Sequence, residues 1–181
     1  MEEEKRRFLR VPTRLKAYLK KVSKDTKPVH HYSRTHQPST FNLDLKKFGL
    51  PEALKEYLEI INSKLDMILS IQSLAFIEKD YPFTTEVIEI GGGGLKCLKP
   101  QKLDVKVGDF LEFVIILSTF PLWMVGAIGK INRIENIDGR EVMAIEFSQI
   151  RDSDKEEIIR FVFQEERESI RKQKDMEEEK E

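Results

Sequence analysis

Residues 84–98 read TTEVIEIGGGGLKCL. Thr84 to Ile90, rich in β-branched residues with polar and apolar types interleaved, reads as a strand with one buried face. Glycines 91–94 then interrupt the pattern, and Leu95 to Leu98 resume an extended pattern. The stretch predicts a strand, a glycine turn and a second strand, and it makes the surrounding region β.

Downstream the pattern repeats. Gly108 and Asp109 precede FLEFVIILS, residues 123–134 form another strand pattern, and Asp138–Gly139 is a strong hairpin signal before EVMAIEF. Several short strands at this spacing predict a small barrel or sandwich. The uncharged run FVIILSTFPLWMVGAIG, residues 113–129, contains Pro121 beside Ser118 and Thr119. A bilayer span takes about 20 apolar residues. This run is shorter and rich in β-branched residues, so it reads as two buried strands meeting at a turn rather than a membrane insertion. Past Asp152, Ile158, Ile159, Val162 and Phe163 mark an amphipathic helix that closes the domain. Asp152 or Ser153 is the expected N-cap. A charged tail is expected over 171–181.

Upstream, VPTRLKAYLKKV (11–22) alternates. Val11, Thr13, Leu15, Ala17 and Leu19 fall on one side, and Arg14, Lys16 and Lys20 on the other, interrupted by Tyr18. Residues 23–50 have no clear period and read as a long connection, longer than a compact domain usually carries. Pro51 then opens a helix over about 51–77. Leu54, Leu58, Ile61, Leu65 and Ile68 follow at 4-3-4-3 spacing, with Gln72 continuing the register. That heptad seam predicts a helix that self-associates, making the chain a homo-oligomer. Tyr57, Ile60, Met67, Ile71 and Leu74 widen its apolar surface.

Composition limits the function. The chain has 181 residues, 40% hydrophobic and 35% charged, with a net charge of −1. That balance supports one folded domain of ordinary size with long solvated faces. The near-neutral total hides an asymmetry: residues 1–48 carry 13 basic and 5 acidic residues, and residues 152–181 carry 7 basic and 12 acidic. A single cysteine, Cys97, excludes an intramolecular disulfide and a cysteine zinc cluster. The opening MEEEKRRFLR lacks the apolar core of a secretory signal. The protein is expected in the cytoplasm.

Nothing points to catalysis. His30, His31 and His36 cluster in the long connection without cysteine or acidic residues at zinc spacing. No serine or cysteine sits in a nucleophile elbow, and the glycine run lacks a Walker ending. No metal, cofactor or catalytic residue is expected. The stronger signal is a pair of segments. Arg6, Arg7 and Arg10 precede the first strand, and Glu89 with Gly91 and Gly94 flanks the glycine turn. Guanidinium forks bind phosphate bidentately and stack on bases. Glycine permits positive φ and close backbone approach. An anionic, aromatic ligand such as a nucleotide suits the combination.

These segments resemble the PilZ domain family. Arg6 and Arg10 match its RxxxR arm, and Glu89, Gly91 and Gly94 fall on the positions of its [D/N]xSxxG motif. The likeness extends over residues 5–20 and about 83–170. It implies a mainly β fold, a six-stranded barrel with a closing helix, and a non-enzymatic receptor for cyclic di-GMP. The implied contacts are Arg6 and Arg10 on phosphates and guanines, Arg7 assisting, Glu89 accepting from a guanine edge, and Gly91 and Gly94 giving access to the backbone.

The implied division is an arm and first strand (1–22), an insertion with an oligomerising helix (23–80), the rest of the barrel with its helix (81–170) and a tail (171–181). The insertion departs from the family pattern, as do Glu89 in place of Asp and Gly91 in place of Ser. Loss of one neutral hydrogen bond weakens binding by roughly tenfold or less. Two other readings remain. One is a degenerate PilZ adaptor that works through its helix without the dinucleotide. The other is a basic β module for nucleic acid, which has no matching nucleic-acid motif. The downstream partner, in motility, adhesion or exopolysaccharide export, is not named by the residues.

Overall fold

The hairpin around the glycine run is one seam of a closed barrel. The computed structural model describes residues 9–27, 49–119 and 122–178. Its strands are β1 (Arg10–Val22), β2 (Phe83–Gly91), β3 (Gly94–Leu98), β4 (Phe110–Thr119), β5 (Leu122–Ile137) and β6 (Arg140–Ile150). All six pair antiparallel, in the ring order β1-β2-β3-β6-β5-β4. Helix α1 (Glu52–Asp80) lies between β1 and β2, and α2 (Asp152–Glu178) follows β6. The expected fold class, a mainly β six-stranded barrel with an inserted helix and a C-terminal helix, is the one observed.

Alternation fills the barrel. Ala17 and Leu19 from β1, Val87 and Ile90 from β2, and Leu95 from β3 point inward. Phe113, Ile115, Val125, Ile131, Met143 and Ile145 complete the interior. Ile158 and Val162 of α2 join the same cluster, so this helix packs on the barrel through its apolar face. The turn at Asp138 and Gly139 has both residues at positive φ, 51° and 77°, as a two-residue hairpin of this hand requires.

The first strand is shared between two neighbours. Arg10 to Leu19 pairs with β2, and Ala17 to Val22 pairs with β4, with an irregularity between Pro12 and Leu15. The interruption at Tyr18 has a structural cause. Tyr18 points outward yet is buried, because the end of α1 covers it. Ile77 and Tyr81 join Tyr18, Val114, Ile116, Leu122 and Met124 in a second cluster outside the barrel, with Leu74 packed against it. The uncharged run is therefore two strands buried on both faces, barrel inside and helix outside, which explains its continuous hydrophobicity.

Polar contacts pin the foot of α1. Tyr18 Oη donates to Glu78 Oε1 at 3.0 Å, and Lys20 Nζ lies 4.4 Å from the Tyr81 ring centroid. Lys20 Nζ is also 3.2 Å from Glu112 Oε2, a carboxylate buried on β4. Among the described residues, little covers the remainder of α1. With 29 residues at 1.5 Å each, α1 is about 43 Å long. Only Ser70 and Ile77 along it are buried. All of the seam residues Leu54, Leu58, Ile61, Leu65, Ile68 and Gln72 are exposed, Leu65 by 52% and Ile68 by 61%.

Some expectations move. The helix of the insertion runs to Asp80, three residues beyond its expected end. The expected N-cap at Asp152 or Ser153 falls inside α2, which starts at Asp152. Arg151 precedes it, and its Nε contacts buried Asp154 at 3.3 Å. The charged tail is not separate from the helix, since α2 continues to Glu178. His30, His31 and His36 lie outside the described residues.

Candidate functional site

Arg10 opens β1 directly opposite Gly91, with Val11 opposite Ile90 and Pro12 opposite Glu89. Val11 and Ile90 fill the core, so the side chains of Arg10 and Glu89 emerge on the outer face. Val87 and Ile90 both point inward although they are three residues apart, which unbroken alternation forbids. A register shift between Val87 and Glu89 absorbs the extra residue. The shift leaves Glu89 facing out, opposite Lys96 on β3.

The result is a row of three charged side chains across three neighbouring strands. Arg10 Nη1 donates to Glu89 Oε1 at 3.1 Å, and Lys96 Nζ donates to Glu89 Oε2 at 2.9 Å. The side chains are 33%, 26% and 21% exposed in the order Arg10, Glu89, Lys96. One carboxylate faces two cations, so the row carries a net positive charge. Partial burial works to raise the Glu89 pKa. Hydrogen bonds from Lys96 and Arg10, with their charges, outweigh it and hold the carboxyl below its ordinary value.

A depressed carboxyl stabilises the fold above its unfolded pKa and loses that contribution as pH falls through the folded value. Wild type is therefore expected to melt higher than Glu89→Gln at neutral pH. The gap should hold down to about pH 4.5, the ordinary value, and close below it. Thermal melts between pH 7 and pH 3 check this; a gap independent of pH would remove the ion pairs from the account.

The glycines serve space rather than torsion. Positive φ was an expected use of Gly91 and Gly94, but the described glycines at positive φ are Gly49, Gly108 and Gly139. A Cβ on Gly91 would lie 2.5 Å from the Leu9 carbonyl oxygen and 2.8 Å from Arg10 Cγ. A Cβ on Gly94 would collide with the Ile145 carbonyl oxygen on β6. Gly91 thus lets the start of β1 close over β2, and Gly94 lets the tip of the hairpin close against β6. Phe147 N–H donates to Gly93 O at 3.0 Å and holds that tip. A serine at position 91 needs the backbone at Leu9 to shift.

Of the six residues expected to contact ligand, Arg10, Glu89, Gly91 and Gly94 come together here. Arg6 and Arg7 lie outside the described residues. Lys96 was missed. Its signal was available in the turn: if Gly91 pairs with Gly94, counting back two residues on β2 and forward two on β3 sets Glu89 opposite Lys96. Cys97, the next residue, faces the core; burial pushes its thiol up to about 12 against a hydrogen bond with Thr85 that lowers it. That thiol is protonated and inert at neutral pH.

No family model and no curated protein matches the chain. Solved structures do. A PilZ-domain protein from Xanthomonas campestris, described as a tetramer self-assembled via a helical bundle, aligns with a TM-score of 0.58 at 14% identity, covering 91% of this chain and 92% of that one. The Bacillus subtilis inhibitor of motility MotI/DgrA aligns with a TM-score of 0.52 at 12% identity over 90% of this chain and 52% of its own. Escherichia coli YcgR, solved in complex with c-di-GMP, aligns with a TM-score of 0.52 at 10% identity over 95% of this chain and 50% of its own. The chain spans about half the length of the MotI and YcgR chains. At such identities the likeness is one of fold.

Proposed function

We propose that this chain, which has the PilZ fold, is a non-enzymatic receptor for cyclic di-GMP that relays the level of the messenger to a partner. The observation that carries the reading is the docking of Arg10 beside the Glu89–Gly94 hairpin, with Arg6 and Arg7 shortly before it in the sequence. A partly buried, net positive row next to a strand start suits an anionic nucleotide. The likeness to YcgR, solved with c-di-GMP, supports the same ligand class. Motility, adhesion and exopolysaccharide export are the processes such a receptor would serve, from the cytoplasm. No nucleic acid and no metal enter this proposal.

The second part of the proposal is assembly of copies of the chain through α1. Its bare apolar length supports it, as does the bundle-forming Xanthomonas fold neighbour. By length and composition α1 also qualifies as a membrane span. Its longest uncharged stretch, residues 67–77, falls well short of the roughly 20 residues a bilayer takes. Lys64 and Asp66 would each cost about 3 kcal/mol at a bilayer centre, so packing against other helices is favoured. In this reading residues 1–22 and 81–170 form the receptor and 23–80 the assembly element.

One observation favours an alternative. The place that a motif serine would fill at position 91 is taken by the chain's own backbone, which would suit an adaptor without the dinucleotide. Calorimetric titration with cyclic di-GMP separates the two readings. Wild type is expected to bind at micromolar concentration or tighter. The Arg6→Ala/Arg10→Ala variant should lose about 100-fold or more, since each charge-assisted bond contributes about 1.5–3 kcal/mol. No heat and no thermal shift with wild type would leave the adaptor.

A further inference from the structure

Lys96 belongs to no described motif, yet it is the most enclosed cation of the row on the hairpin. Its partner Glu89 has both carboxylate oxygens engaged, Oε1 by Arg10 at 3.1 Å and Oε2 by Lys96 at 2.9 Å. The length of Glu89 matters to this arrangement. An aspartate would be shorter by about 1.5 Å, one carbon–carbon bond. The longer side chain is better suited to bridge cations on both neighbouring strands at once. The glutamate and the lysine therefore act as a matched pair.

We infer that Lys96 is a further binding residue, contacting a phosphate of the ligand together with Arg10, and that Glu89 is the counter-ion holding the two cations in place rather than an acceptor for a guanine edge. The inference rests on the cyclic di-GMP reading and deepens it. Three features support it. The row has one more cation than anions, so a phosphate is attracted to it. A flexible lysine stem can turn from carboxylate to phosphate without moving the strand that carries it. And both carboxylate oxygens of Glu89 are already engaged by the two cations, as a counter-ion's would be.

The test uses the full chain, with cyclic di-GMP titrated by calorimetry and each variant's melting temperature measured. Lys96→Met should weaken binding about tenfold or more while the protein still melts cooperatively. Lys96→Arg should restore affinity to within about threefold, because it keeps the charge. Glu89→Gln should weaken binding by no more than about tenfold, well short of the arginine double variant, because the cations lose their counter-ion while an anion beside the phosphates is removed. Wild-type affinity in Lys96→Met would overturn the role of Lys96. A loss in Glu89→Gln as deep as in the arginine double variant would restore Glu89 as a base acceptor and overturn the counter-ion role. Failure of wild type itself to bind would remove the receptor reading and this inference with it, whereas binding by wild type that Lys96→Met does not weaken removes this inference alone.

Discussion

Aspartate at both Ile61 and Leu65 is expected to convert the assembled protein to monomers while leaving the barrel folded. Both residues lie on the 4-3 seam of α1 and both are exposed in the single chain. Buried against a second helix, each contributes about 2–5 kcal/mol relative to a small residue, and a carboxylate in the seam adds a desolvation cost. Two such sites on each protomer weaken association by well over 10⁴-fold. The barrel is insulated from the change. Its nearest apolar contact on α1 is Leu74, about 13 Å along the helix from Leu65 at 1.5 Å per residue. Sedimentation velocity should show the shift to monomer, and thermal melts should show the same cooperative barrel. Wild type sedimenting as a monomer at tens of micromolar would end the assembly proposal.

Lys20→Met should be the most damaging single substitution at the junction of strand and helix. It removes the ammonium that lies 3.2 Å from buried Glu112 and that sits over the Tyr81 ring. Taking one partner from a buried ion pair costs about 3–5 kcal/mol, because the remaining charge stays out of water. For a chain of this size that lowers the melting temperature by about 6–20 °C. The double variant Lys20→Met/Glu112→Leu should recover much of the loss, since apolar replacement of both partners is often neutral. A melting temperature unchanged in the single variant would show that Glu112 does not depend on Lys20.

The parts of the fold legible in the sequence are those whose cause is local. Alternation in β1, the interleaved pattern of β2, the pair Asp138–Gly139 and the apolar spacing of α2 each follow from nearby residues. The heptad seam was legible for the same reason, and its exposure explains why no partner among the described residues could be named for it. Tyr18 was legible only as an anomaly, because the helix that covers it arrives some sixty residues later. Lys96 required register, which depends on pairing across the turn rather than on type or period. The glycines were placed correctly in the turn, but the sequence reading expected positive φ and the approach of a ligand. What requires them is the chain's own backbone at Leu9 and Ile145, residues far away in the chain.

The shared pairing of β1 has a kinetic consequence. Strands β2 with β3, and β4 through β6, are joined by short turns, so each group can zip locally. The first strand must find β2 across 60 intervening residues, 23–82. Closing a loop of that length costs about 2 kcal/mol more than closing one a tenth as long. The earliest of the six strands in the chain is thus expected to be the last seated in the ring, and its seating should set the folding rate. A ligand that grips Arg10 and the hairpin opposite would hold that last strand shut, slowing unfolding more than it speeds folding.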